Sequence, residues 1–227
     1  MLLIGLGNRA RQGKDTAAEA ILDHYDRLNE RCRPHSYQRV WRGVNVGVFK
    51  FATALYQEVN EFLVSDTGKR WLARENRRET FAHILNLPEW VQPDPNPEVS
   101  ELAPYGKHPK LLQWWGTEFR RAQDPDYWVK KLFASISSNL DIALVTDVRF
   151  PNEAAGIKQR GGYNVKVTRI QEDGTQYHAT DRPSNHPSET ALDFYNFDFR
   201  LINSEGHEAL LGEQAITLAE YLRGLSK

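Results

Sequence analysis

The sequence predicts an α/β protein in which a mostly parallel, five-stranded sheet carries helices on both faces. Stretches with strand-like and helix-like patterns alternate along the chain, which is typical of parallel sheets. A glycine-containing turn joins the first apolar run to a helix-favouring stretch. The run at 142–146 is apolar without interruption, as in strands buried on both faces.

The turn after the first strand has the features of a phosphate-binding loop. Leu2-Leu3-Ile4 leads into it, and Gly13-Lys14-Asp15-Thr16 leads into helix-favouring residues. Backbone N–H groups of such a turn and the positive end of the helix dipole converge on an anion, to which Lys14 adds a charge and Thr16 a hydroxyl. The match to G-x-x-x-x-G-K-[ST] departs at two positions, where Asn8 and Asp15 stand. The alternative is a strand-to-helix turn that holds a lysine by chance.

Composition narrows the classes of partner. The 227 residues have a formal net charge of −1 and a mean hydropathy of −0.62. A chain without a basic excess does not suit a nucleic-acid polymer or an anionic membrane, so any phosphate recognition must be local. Cys32 is the single cysteine. Without a signal peptide or an apolar run of transmembrane length, we expect a cytoplasmic protein.

The first half of the chain is expected to contain two strand-to-helix units. A helix from Asp15 to about Glu30 is followed by a strand over 44–51, which ends near Lys50, and a helix from Ala52 to about Val64. Residues 69–87 are predicted helical and arginine-rich, with a solvated face as the simpler interpretation. The proline-rich stretch 88–109 is predicted to be a surface loop.

Residues 111–121 combine two tryptophans with an amide, a carboxylate and two arginines. An amphipathic helix explains Leu111, Leu112 and one tryptophan, whereas the interleaved polar groups suit contacts with a base and a phosphate. A further helix is expected to begin at Asp124-Pro125-Asp126 and to run to about Ser138.

The second half supplies three strands. The strand at 142–146 ends in Asp147, with Arg149 two residues later, and Arg169 stands at the end of a strand over 163–168. The alternative for Asp147 is an N-cap of the helix near Pro151. A polar loop over 171–196 precedes a strand at 197–202 and a closing helix over 207–225.

Six polar side chains are expected to lie at the carboxyl edge of the sheet, where open α/β sheets bind ligands. Four of these six side chains are cations and one is an acid, which suits phosphoryl transfer because such enzymes mainly position phosphates and neutralise their charge. The six are Lys14, Thr16, Lys50, Asp147, Arg149 and Arg169.

Five motifs together resemble the deoxynucleoside monophosphate kinases of tailed bacteriophages. They are Gly13-Lys14-Asp15-Thr16, Gln113-Trp114-Trp115-Gly116-Thr117-Glu118, Asp124-Pro125-Asp126-Tyr127-Trp128, Asp147-Val148-Arg149-Phe150-Pro151-Asn152-Glu153 and His186-Pro187-Ser188-Glu189-Thr190. The resemblance implies a single P-loop kinase domain with its core at about 1–52 and 140–227. It also implies a helical nucleoside monophosphate (NMP)-binding insertion at about 53–139 and a lid at about 171–196.

The resemblance implies transfer of the γ-phosphoryl group of ATP to a dNMP with Mg²⁺. Arg11, Gly13, Lys14, Asp15, Thr16 and Arg182 would bind ATP, with Lys14, Arg149 and Arg169 catalytic. Lys50, Gln113, Trp114, Glu118, Arg120, Arg149 and Glu189 would bind the acceptor. Asp15, Thr16 and Asp147 are the metal candidates, and which of them contacts the ion stays open. The resemblance further suggests a homodimer in the cytoplasm of an infected bacterial host, acting on small nucleotides only.

Two other functions stay open at this stage. One is a P-loop kinase of another phosphorylated metabolite, because the aromatic residues of 111–128 are also ordinary core material. The other is a regulator that binds ATP without transferring phosphate, although it has little need of cations beyond Lys14.

Overall fold

The computed structural model describes residues 1–31, 43–73, 87–179 and 187–225. They form two compact units, of which unit 1 comprises residues 1–50 and 133–227 and unit 2 comprises residues 51–132. Within the described ranges, no helix combines the length and the apolar character needed to cross a lipid bilayer.

Unit 1 contains a parallel sheet. In the described residues its strands are β1 (Leu2–Gly7), β2 (Val46–Phe49), β3 (Ile142–Val148), β4 (Tyr163–Ile170) and β5 (Phe199–Ser204). The strand order is β2-β3-β1-β4-β5, and all four neighbouring pairs are parallel. The fold class predicted from the sequence is therefore confirmed, and the architecture is that of a P-loop kinase.

Helices connect the strands and are the main elements in the described part of unit 2. The described helices are α1 (Lys14–Arg31), α2 (Phe51–Val64), α3 (Asp66–Leu72), α4 (Pro109–Trp114), a π-helical segment (Trp115–Arg121), α5 (Tyr127–Ser135), α6 (Pro151–Gln159), α7 (Pro187–Thr190) and α8 (Glu208–Leu225).

Successive residues of β1 face opposite sides of the sheet, and helices pack on both sides. Leu2, Ile4 and Leu6 belong to the apolar core that also includes buried residues of α1 and α8. Gly5 faces the opposite side, where a Cβ atom would lie only 2.3 Å from Cδ1 of Ile157 in α6. A residue without a side chain is therefore required for α6 to pack this closely on the central strand.

The position of β1 explains where ligands can bind. Its neighbours are β3 and β4, and parallel strands end at the same edge of a sheet. The turn after Gly7 is therefore flanked by the residues that end β3 and β4. Asp147 and Arg169 occupy the penultimate positions of those two strands.

Aromatic side chains fill the interior of unit 2. The ring of Phe62 in α2 lies 6.1 Å from that of Trp71 in α3 and 5.3 Å from that of Trp115. Trp71 also meets His108 edge to face, at 5.2 Å. Such tilted and perpendicular pairs add to the stability gained from apolar burial.

The boundaries of several elements differ from the sequence predictions. β5 begins and ends two residues later than the predicted strand 197–202, so Asn203 lies within it. The helix expected to reach Ser138 ends at Ser135, and helix 111–121 becomes π-helical at Trp115. The arginine-rich residues 74–86 and the part of the predicted lid at 180–186 lie outside the described residues.

Candidate functional site

The loop between β1 and α1 adopts a backbone that few sequences allow. Asn8, Arg11 and Gly13 have φ angles of 112°, 56° and 99°. Positive φ is strained for most L-residues, and asparagine tolerates it better than most, which explains how Asn8 can stand where the motif has its first glycine. The Asn8 side chain also donates from Nδ2 to the carbonyl oxygen of Val167 at 2.9 Å, which ties the loop to β4.

Gly13 is required by its conformation and by its neighbours. A Cβ atom there would lie 2.7 Å from Nδ2 of Asn203 and 2.8 Å from Cδ2 of Leu211. In the sequence, Gly13 is marked only as part of the phosphate-binding motif. The structure adds close packing against the end of β5 and the first turns of α8.

The loop forms one wall of a cleft in unit 1. Its volume is about 380 Å³, and residues 11–16 line it. The other lining residues are Lys50, Thr146, Asp147, Arg149, Arg169 and Asn203. All six side chains that the sequence places at the carboxyl edge of the sheet therefore lie around one cleft, with Arg11, Gly13 and Asp15 beside them.

Lys14 is buried at the base of this cleft. Only 6% of its surface is exposed, and its ammonium group donates to the carbonyl oxygens of Arg9 at 2.5 Å and Asn8 at 3.4 Å. Burial, followed by the nearby charge of Arg149, lowers the pKa of Lys14 to about 7. A bound polyanion would favour the charged ammonium and reverse this shift.

We expect ATP binding to take up a proton at Lys14. With a pKa near 7 in the free protein, about nine tenths of Lys14 is neutral at pH 8, and bound phosphates would recharge it. The affinity for ATP should therefore fall as the pH rises above 7. Calorimetry at pH 8 in buffers of different ionisation enthalpy should reveal uptake approaching one proton. Equal binding enthalpies in all buffers would contradict this expectation. Lys14→Met, whose side chain cannot take up a proton, is the control.

Asp15 is held by Thr146 of β3 and by Lys50, which follows β2. Its Oδ1 accepts from Oγ1 of Thr146 at 2.7 Å and pairs with Nζ of Lys50 at 2.9 Å. Burial acts to raise the pKa of Asp15, but these hydrogen bonds outweigh it and the pKa lies below its ordinary value. Asp15 is thus an anion that orients Lys50, and Thr146 is a partner that the sequence analysis did not name.

Asp147 lines the cleft beside Thr16 and Asp15. It is not the N-cap of α6, because that helix begins after Phe150 and the Glu153 carboxylate accepts from the backbone N–H groups of Arg149 at 2.7 Å and Phe150 at 3.0 Å. Carboxylate and hydroxyl oxygens are ligands that suit Mg²⁺. The donor set therefore fits this ion, and the metal roles of Asp15, Thr16 and Asp147 stay predictions.

Arg149 is fixed by a buried carboxylate. Its Nη1 donates to Oε1 of Glu189 at 3.0 Å, and Oε2 of Glu189 accepts from the backbone N–H of Ala10 at 2.8 Å. Glu189 therefore joins α7, the phosphate-binding loop and Arg149. Its predicted contact with the acceptor stays a prediction, and the hydrogen bonds of this structure give it the additional role of holding Arg149.

Arg169 approaches the cleft from β4. Its Nη2 lies 3.4 Å from Oε1 of Glu205, and its Cζ lies 4.9 Å from the ring centre of Tyr177. Its backbone N–H donates to Oε1 of Gln12 at 2.7 Å. The residue is thus connected both to the phosphate-binding loop and to the residues that follow β5.

Gln12 and Asn203 support the loop from within, and the sequence analysis named neither. Gln12 is fully buried and donates from Nε2 to the carbonyl oxygens of Ala10 at 3.1 Å and Tyr177 at 3.0 Å. Nδ2 of Asn203 donates to the Gln12 carbonyl oxygen at 3.2 Å. The amide of Gln12 within the phosphate-binding loop was the one signal in the sequence for this supporting role. Two partners of Gln12, Arg169 and Asn203, lie in β4 and β5, far away in the chain.

Replacing Gln12 by alanine should destabilise unit 1 and weaken ATP binding. The change removes three side-chain hydrogen bonds and leaves the partly buried N–H of Arg169 without its acceptor, which costs about 2 to 3 kcal/mol of unfolding free energy. Urea unfolding measures this change. Gln159→Ala, at an exposed position in α6, is the matched control. A loss below about 0.5 kcal/mol, the level of ordinary surface substitutions, would contradict the account.

The predicted acceptor-binding residues within 111–121 lie in unit 2. Gln113 and Glu118 are exposed, whereas Trp114 is 4% exposed and stacks on Phe119 with ring centres 5.1 Å apart. Arg120 donates from Nε to Oε2 of Glu58 at 2.8 Å. Their roles toward a nucleotide stay predictions. Arg182, predicted to contact ATP, lies outside the described residues.

One protein that is similar along most of this chain is the deoxynucleoside-5'-monophosphate kinase of Escherichia phage T5. The two are 26% identical over 231 aligned positions, which cover 89% of each chain. No protein-family model matches the chain. The similarity agrees with the resemblance drawn from the sequence motifs and supports a kinase.

Proposed function

We propose that this protein is a deoxynucleoside monophosphate kinase, which transfers the γ-phosphoryl group of MgATP to a dNMP and forms a dNDP. The proposal is supported by the phosphate-binding loop, by the charge of the cleft beside it, and by the similarity to the phage T5 enzyme.

The observation that carries the proposal is the surplus of cations in the cleft. Among the described residues, those that line it include five cationic side chains and two carboxylates, Asp15 and Asp147, so the formal charge is +3. The triphosphate of a single nucleotide needs the loop and Lys14, whereas the further arginines suit a second phosphate group. The five cations are Arg11, Lys14, Lys50, Arg149 and Arg169.

The chemistry requires positioning and charge neutralisation. A dNMP phosphate is largely dianionic above its second pKa of about 6, so its oxygen attacks the γ-phosphorus without a general base. The bond between the γ-phosphorus and the bridging oxygen of ATP breaks, and ADP leaves. Lys14 and the backbone N–H groups at the start of α1 bind the ATP phosphates. Arg149, fixed by Glu189, places its guanidinium against the transferring or acceptor phosphate, and Arg169 contributes a second guanidinium.

A bound Mg²⁺ would neutralise part of the charge on the ATP phosphates. Thr16 and Asp147 would hold it, together with Asp15, whose carboxylate also pairs with Lys50. We assign acceptor binding to Gln113, Trp114, Glu118 and Arg120 of unit 2, and base stacking to the Trp114 ring.

The test is release of ADP from MgATP in the presence of each dNMP and each NMP separately. We expect release with one or a few deoxynucleotides and none in the Lys14→Ala variant. This panel also gives the base preference and the preference for deoxyribose.

Two results would redirect the proposal. ADP release with none of the nucleotides but with another phosphorylated metabolite would identify a different small-molecule kinase. ATP binding without transfer to any acceptor would support a regulator and overturn the enzyme.

A further inference from the structure

Glu58 of α2 is contacted by four side chains, two from the π-helical segment and two from α5, although no sequence motif marked it. Its Oε2 accepts from Nε1 of Trp115 at 3.0 Å and from Nε of Arg120 at 2.8 Å. Its Oε1 accepts from the Tyr127 hydroxyl and lies 3.8 Å from Nζ of Lys131. Glu58, Trp115, Arg120, Tyr127 and Lys131 are called the Glu58 cluster, and all five belong to unit 2.

The carboxylate of Glu58 is ionised and held tightly. Its side chain is 12% exposed. Burial acts to raise its pKa, but hydrogen bonds from Tyr127, Trp115 and Arg120 lower it below the ordinary value. A partly buried ion pair supported by additional donors is stronger and better defined in geometry than an exposed one.

Arg120 is fixed on three sides and retains unused donors. Its Cζ lies 4.8 Å from the ring centre of Phe119 and 4.9 Å from that of Tyr127, so the guanidinium is packed against two aromatic rings. Nε is occupied by Glu58. In the described part of the chain, Nη1 and Nη2 of Arg120 make no hydrogen bond, and 26% of the side chain is exposed.

An arginine in this state suits a phosphate. A guanidinium presents donors in a planar fork that matches an anion's oxygens, and fixing Nε reduces the entropy lost when the anion binds. With Arg120 and Lys131 against Glu58, the formal charge of the cluster is +1. The cluster can therefore accept an anion without burying an unpaired negative charge.

We propose that Glu58 is a positioning residue, which orients Arg120 toward the phosphate of the acceptor nucleotide. The inference rests on the proposed function and deepens it, because it explains how Arg120 can bind a dNMP. Glu58 does not touch the substrate. It acts by holding the guanidinium in one orientation and by fixing the Tyr127 ring against it.

The test compares Glu58→Gln with Glu61→Gln. Glu61 is exposed one turn later in the same helix, so its variant removes the same charge without the hydrogen bonds of the cluster. Glu58→Gln should raise KM for the dNMP about tenfold and leave KM for ATP within about twofold, whereas Glu61→Gln should change neither. Glu58→Asp, which keeps the charge, replaces the glutamine variant if that variant does not fold.

A double-mutant cycle separates positioning from a general structural role. If Glu58 acts through Arg120, Glu58→Gln should change KM for the dNMP less than about twofold once Arg120 is already alanine. Effects that multiply would overturn the inference, and so would an unchanged KM for the dNMP in Glu58→Gln or a parallel rise in KM for ATP. Absence of transfer by the wild-type protein to every dNMP would instead overturn the proposed function and this inference with it.

Discussion

Lys14→Ala is expected to lower kcat/KM for phosphoryl transfer about a thousandfold, in the range found when a preorganised donor to the reacting charge is removed. Lys14 begins α1, is buried in the cleft and is held by the carbonyl oxygens of Asn8 and Arg9. Once bound phosphates have recharged it, the Lys14 ammonium group opposes their charge from a position that is already fixed. Initial rates of ADP release at varied ATP concentration measure the effect.

The loss should not come from unfolding. Burial lowers the pKa of Lys14, which means that the folded protein disfavours its charge, so replacing it should leave Tm nearly unchanged. Lys158→Ala, which removes a lysine of α6 outside the cleft, is the control for charge and side-chain size. Turnover in Lys14→Ala within about tenfold of wild type would contradict the assignment of Lys14 to the reacting phosphates.

Arg149→Lys is expected to lower kcat at least about a hundredfold, since arginines that stabilise a transferring phosphoryl group contribute as much or more. The guanidinium of Arg149 is held by Glu189, which is itself bonded to the phosphate-binding loop. Lysine keeps a positive charge beside the buried Glu189 carboxylate but cannot form a planar, two-point contact with phosphate. Single-turnover rates with dNMP and MgATP measure the chemical step.

Lysine is a better test substitution than alanine at position 149 because Glu189 is buried beside it. Removing all charge would leave a buried carboxylate poorly compensated and cost about 3 to 5 kcal/mol of unfolding free energy. Arg200→Lys, at an exposed position in β5, is the matched control. A kcat for Arg149→Lys near that of wild type, with Tm unchanged, would remove Arg149 from the catalytic residues.

Topology made the cleft predictable. Parallel strands end at one edge of the sheet, so residues that follow apolar runs in the sequence meet in space even when more than a hundred positions separate them. Lys14, Asp147 and Arg169 illustrate this, since each follows or ends a different strand and all three line the cleft. Strand boundaries were less predictable, and Asn203 consequently lies outside the predicted strand 197–202 although it belongs to β5.

The supporting residues were not predictable from local pattern. The side chains of Gln12, Glu58 and Glu189 act through partners far away in the chain, at separations of up to 179 residues for these side-chain hydrogen bonds. Neither periodicity nor spacing carries this information. The Glu58 cluster shows the difference most clearly. The composition of residues 111–121, which include Arg120, indicated a role in binding, whereas the carboxylate that holds Arg120 lies in α2, a helix with no motif.

Transfer of label from ATP, labelled in its γ-phosphoryl group, to each of the four DNA nucleoside monophosphates tests the central claim most directly. With Mg²⁺ present, the account predicts a labelled deoxynucleoside diphosphate from one or more of them, and none when Lys14 is replaced by alanine. Label found only in unreacted ATP or in inorganic phosphate, with every acceptor, would contradict the assignment of this protein as a deoxynucleoside monophosphate kinase.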